Sequence, residues 1–98
     1  MNKEKEEKAF SDEELNILNG YNFDKSIEII KEKWNLNFGA IEKRTTPNKK
    51  VLGLHTGGYS DNEKIINELS TTMFWLFYWK SSSRGGHYYF VNNLVTKE

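Results

Sequence analysis

"MFWLFYWK", Met73 to Lys80, is the stretch that decides the fold. Its apolar residues fall on odd and even positions alike, so an extended chain here needs cover on both faces. The run therefore reads as a central strand, buried on both sides, or buried on one and met on the other by a ligand or a second subunit. After it, "SSSRGG" supplies a turn, "HYYFVNNLV" reads as the last strand, and "TKE" is tail. Before it, "GGYSDNEKIINEL" is a glycine loop entering a helix, with Ser60 as N-cap, Glu63 at the third position, and Ile65, Ile66 and Leu69 as the buried stripe.

Further upstream, "LNFGAIEKR" alternates Leu36, Phe38 and Ala40 with polar residues, Pro47 marks a turn, and "KVLGLHT" follows as a partner strand, which together predict a hairpin. Ile27, Ile30 and Trp34 share one face of a helix from about Asp24 to Trp34, capped by Asn22 or Asp24. A capping box, Ser11 with Glu14, opens a shorter helix through Leu15 and Leu18 that stops at Gly20. The charged opening "MNKEKEEKAF" predicts a frayed tail over residues 1–10 that packs onto nothing before Ala9 or Phe10, leaving residues 11–98 as a single domain. The class is α+β: two N-terminal helices, then ββαββ, with a small, mostly antiparallel sheet packed on helices.

Composition narrows the function. Fourteen basic and fourteen acidic residues cancel, which removes the broad basic footprint of a general nucleic-acid binder. The chain has no cysteine, so neither a disulfide framework nor thiol-ligated zinc is available, and a reducing cytoplasm is the expected compartment. The longest apolar run is far short of the roughly 18 to 20 residues that span a bilayer, so no membrane role is expected. Aromatics make up 14% of only 98 residues, a burden that predicts a homo-oligomer.

Chain direction adds what no single element shows. If each short connection reverses the chain, "HTGGYSDNE" and "SSSRGGHYYF" lie at the same end of the sheet. The two histidines of the chain, His55 and His87, then sit beside its two glycine pairs, Gly57-Gly58 and Gly85-Gly86. The open N-terminus of a helix and the forked donors of Arg84 suit phosphate. The candidate ligand-binding set is His55, Thr56, Gly57, Gly58, Tyr59, Ser60, Asn62, Arg84, Gly85, Gly86, His87 and Tyr89.

Magnitudes select the ligand class. A helix end offers about 0.3 to 2 kcal/mol and a charged hydrogen bond about 1.5 to 3. Micromolar binding needs about 8. Stacking of a base on an aromatic ring, about 1 to 3 kcal/mol, is the obvious supplement, so a nucleotide-like molecule fits better than bare phosphate. Taken singly, each feature also has a purely structural reading: glycines for positive φ, Ser60 and Glu63 for a helix cap, the aromatic run for core. The sequence has no phosphate-loop lysine motif and no full dinucleotide fingerprint, and two histidines without paired carboxylates make a poor metal site. No cofactor is expected.

The segment from Thr56 to Phe90 resembles small uncharacterised phage and prophage proteins that share TGG-aromatic-S-x-N-E, then FW-x-L-x-W, then S-x-RGGHY-x-F. Thr56, Gly57, Gly58, Ser60, Asn62 and Glu63 carry the first block, Phe74, Trp75, Leu76 and Trp79 the second, and Arg84, Gly85, Gly86, His87, Tyr88 and Phe90 the third. The resemblance implies a mobile-element origin and no established activity. By analogy with small phage proteins that blunt host defence, it suggests sequestration of a nucleotide signal, or inhibition of a host defence protein through exposed aromatics. A small phosphoesterase using His55 and His87 as acid and base is the weakest reading, because nothing in the sequence orients either ring.

Overall fold

A computed structural model describes residues 8–94. The elements run α1 (Asp12–Leu18), α2 (Phe23–Lys33), β1 (Ala40–Thr46), β2 (Lys49–His55), α3 (Ser60–Leu69), α4 (Met73–Tyr78), β3 (Trp79–Ser83) and β4 (His87–Asn93). The fold is mixed α+β, with the first helices preceding a four-stranded antiparallel sheet in the order β1-β2-β4-β3. Among the described residues no helix is long and apolar enough to cross a membrane.

Local chemistry explains the first helices. The Ser11 hydroxyl accepts from the Glu14 N–H, and the Glu14 carboxylate accepts from the Ser11 N–H, so the expected capping box forms. Asn22 rather than Asp24 caps α2, its side chain accepting from the Lys25 N–H at 3.1 Å. At the end of α1 the positive φ falls on Tyr21, at 62°, while Gly20 closes the last turn through its N–H to Ile17. The tail expected over residues 1–10 lies largely outside the described residues. Contact with the rest of the chain is made at Ala9 and Phe10: the Phe10 ring is fully buried, and the Ala9 and Phe10 N–H groups donate to the Glu68 carboxylate at 2.7 and 3.2 Å.

The decisive stretch is not a central strand. Met73 to Tyr78 forms α4, and strand pairing begins only at Trp79. Phe74 and Tyr78, four residues apart, occupy one helix face and are buried, while Met73, Leu76 and Phe77 remain exposed. Phe74 packs on Phe23 from α2 and Phe90 from β4, with ring centroids 5.8 and 5.2 Å apart. These partners lie far away in sequence, so tertiary packing selects the helix.

β1 is likewise shorter than the alternation suggested. Leu36 and Phe38 lie in the preceding loop and are exposed, and the strand starts at Ala40. The turn at Pro47-Asn48 forms as expected, with Thr46 paired to Lys49.

Strand alternation then gives the sheet two different faces. Leu52, Leu54 and Phe90 point into the core, which also takes Phe10, Leu18, Phe23, Ile27, Ile30, Ile65, Leu69 and Phe74 from the helices and their flanks. The opposite face carries Glu42, Arg44, Val51, Gly53, His55, His87, Tyr89 and Val91, and only Gly53 of these is buried.

Candidate functional site

The β2-β4 register pairs His55 directly with His87. The two glycine turns therefore meet at one end of the sheet, tied by the Thr56 N–H donating to the Gly86 carbonyl at 2.9 Å. On the face away from the core, His55 Nδ1 lies 2.8 Å from His87 Nδ1, and His55 Nε2 lies 3.1 Å from the Glu42 carboxylate. Glu42, His55 and His87 thus form a continuous hydrogen-bonded line across β1, β2 and β4. The 2.8 Å spacing fits a shared proton; two imidazole nitrogens on one tetrahedral zinc would stand about 3.3 Å apart.

Gly53 makes this line possible. It stands opposite both Glu42 and Tyr89, and a Cβ there would lie 3.1 Å from Glu42 Oε1, 3.2 Å from the Tyr89 ring and 3.3 Å from His55 Nε2. Its missing side chain lets Glu42 reach diagonally across the strand to His55. The bond from His55, the largest influence on Glu42, holds its carboxyl below the ordinary value, with Arg44 acting in the same direction. Tyr89 flanks the pair, its ring centroid 5.7 Å from that of His55.

The other predicted residues divide into braces and free groups. Thr56 is fully buried; its hydroxyl accepts from the Gly58 N–H at 3.2 Å and reaches Glu63 at 3.5 Å. Asn62 is also fully buried and fully engaged: its Oδ1 accepts from the Asn35 N–H, and its Nδ2 donates to the Asn35 and Thr56 carbonyls. It braces the loop before β1. Ser60 is the first residue of α3; Tyr59 occupies the N-cap position, and no side chain caps the helix there. Asp61 and Glu63 already supply negative charge to that first turn, so the helix end is a weaker anion site than its open N–H groups suggested.

The glycine pairs serve close packing as much as access. Gly57, at φ 66°, lies against the Phe38 carbonyl so closely that a Cβ would overlap it, and Gly86, at φ 82°, lies against the Thr56 hydroxyl. Gly58 alone faces empty space. Tyr59 stacks on Phe38 with centroids 4.5 Å apart. Arg84 is exposed at the second turn, and the position a Cβ of Gly85 would take is 3.1 Å from His87 Nε2. That outer nitrogen of His87 therefore lies over the Arg84-Gly85-Gly86 turn.

Sequence reasoning missed Glu42 and Gly53. The signal was present: a two-residue turn at Pro47-Asn48 fixes Thr46 opposite Lys49, and counting back places Glu42 opposite Gly53 and one diagonal step from His55. Comparison with protein-family models, with curated proteins and with solved structures finds no match.

Proposed function

We propose that this chain is a small cytoplasmic binding module that holds a phosphate-bearing, nucleotide-like molecule at the end of the sheet where the glycine turns meet. The observation that carries the reading is the direct pairing of His55 with His87 on the face away from the core, next to the exposed Arg84 turn. Arg84 supplies forked donors for phosphate, His87 a further polar contact, and Tyr89 an aromatic edge for a base. With net charge zero, affinity depends on this local group of donors rather than on the field of the whole molecule. The resemblance to phage proteins makes a sponge for a host defence signal the natural setting. A panel of linear and cyclic nucleotides, scored by melting temperature, tests the reading. At least one should stabilise the protein, with the shift abolished by Arg84→Ala; no shift with any member at millimolar concentration refutes it.

A second reading has its own observation. Tyr21, Leu76, Phe77 and Trp79 are all exposed, and the Tyr21 and Phe77 rings touch with centroids 4.3 Å apart. A clustered apolar surface of this kind suits a protein partner, either a host defence protein or a second copy of the chain. Sedimentation velocity of the wild type and of Leu76→Asp separates the two: a dimer that becomes monomeric assigns the patch to self-association. A monomer in both cases leaves it to a heterologous partner, whose capture should survive Arg84→Ala and fail with Leu76→Asp.

A further inference from the structure

With both rings neutral, the line of Glu42, His55 and His87 admits one arrangement of protons. An ionised Glu42 can only accept, so the proton on the 3.1 Å contact belongs to His55 Nε2. Neutral His55 then has an unprotonated Nδ1, which can only accept from His87 Nδ1–H across the 2.8 Å contact. Neutral His87 is left with its lone pair on Nε2, the atom that lies over the arginine-glycine turn. The arrangement is that of a base oriented by a second group, which is in turn oriented by a carboxylate. It supplies the orientation that the sequence alone lacked.

We propose that His87 Nε2 is a general base acting on the ligand, and that the substrate class is a ribonucleotide phosphodiester cleaved by its own 2′-hydroxyl. This rests on the nucleotide-ligand reading above. One base suits a substrate that carries its own nucleophile, because the ribose supplies the proximity and only a proton must be removed. His87 Nε2 takes the 2′-hydroxyl proton, and the oxygen forms a bond to phosphorus as the bond from phosphorus to the 5′-oxygen breaks. The departing 5′-oxygen takes a proton from water, and the imidazolium returns its proton to the hydroxide so formed. The products are a 2′,3′-cyclic phosphate and a free 5′-hydroxyl. Arg84, in the turn beneath His87, sets its charge beside the phosphorane. During the step the Nδ1 proton of His87 can pass to His55, which moves the positive charge next to Glu42. His87 is the catalytic residue; His55 and Glu42 are positioning residues. The charged and titratable groups around the line are Glu42 and Arg44 from β1, His55 from β2, Tyr89 from β4 and Arg84 in the turn, with Glu63 of α3 reached through Thr56.

The test uses the full chain with uridylyl-adenosine and its 2′-deoxy analogue, following cyclic phosphate by chromatography and binding by melting temperature. Both dinucleotides should stabilise the protein, and only the ribose form should be cleaved. His87→Asn keeps a donor where Nδ1–H stands and deletes Nε2; it should fold normally and lose about 10² to 10⁴ of the rate. Glu42→Gln should leave KM unchanged and lower kcat, because it removes the carboxylate that orients His55 and not a group that touches the substrate. Binding of both dinucleotides without cyclic product, or product formation undiminished in His87→Asn, overturns the relay and leaves the binding reading standing. Failure of either dinucleotide to raise the melting temperature overturns the relay through loss of the bound state it needs, a failure traceable to binding and not to chemistry.

Discussion

Replacing Asn62 should unfold the site's supporting loop before it touches any ligand. The side chain is fully buried and makes three hydrogen bonds, at 2.8 Å from the Asn35 N–H and at 3.2 and 3.3 Å to the carbonyls of Asn35 and Thr56. Each is worth about 0.5 to 1.5 kcal/mol net; the Asn35 N–H is left without a partner, while the Asn35 and Thr56 carbonyls keep the Gly39 and Tyr59 N–H groups, so Asn62→Ala should cost about 2 to 4 kcal/mol. For a chain of this size each kcal/mol lowers the melting temperature by about 4 to 8 °C, giving a fall on the order of 10 to 25 °C. Asn62→Asp sharpens the test. It keeps the acceptor for the Asn35 N–H but turns a second oxygen toward two carbonyls, so it should be at least as damaging as alanine. Thermal and urea unfolding, each followed by near- and far-ultraviolet circular dichroism, give the comparison. A melting temperature within about 2 °C of wild type for both variants, on the scale just used, would refute the bracing role.

Three further outcomes follow from the same contacts. Gly86→Ala meets both a positive φ and the Thr56 hydroxyl, and should cost about 2 to 4 kcal/mol in a urea titration; Gly58→Ala meets positive φ alone, with nothing within 4 Å, and should cost about 1 to 2. Glu68→Ala removes the acceptor for the Ala9 and Phe10 N–H groups, so these amides should exchange faster by hydrogen-exchange mass spectrometry while those of β2 and β4 keep their protection. The Ser11 backbone bond holds the Glu14 carboxyl below its ordinary value of 4.5, aided by Lys33. A carboxylate depressed in the folded state stabilises fully above its unfolded value and ceases to do so as pH falls through the lower folded one. Stability curves of wild type and Glu14→Gln should therefore converge in strong acid and separate above about pH 5, in the direction that linkage requires.

Proximity in sequence decided what the chain alone could specify. α1, α2 and the hairpin at Pro47-Asn48 follow from caps, turn residues and apolar spacing that act over a few positions, and α3, which no side chain caps, follows from the spacing of Ile65, Ile66 and Leu69. The meeting of the glycine turns was also legible, because short antiparallel connections leave few directions for the chain to run. Met73 to Tyr78 was not, since a run apolar at every position has no period from which to choose a helix or a strand. Phe23 and Phe90 make that choice by receiving Phe74 on a helical face. The site divides in the same way. Residue type and turn chemistry brought forward His55, Arg84 and His87. Only strand register and the absent side chain of Gly53 join Glu42 to the histidines, and only three-dimensional packing brings Asn62 against Asn35 as a brace. Caps and turns act through neighbours, whereas register and burial act through partners that the sequence does not place side by side.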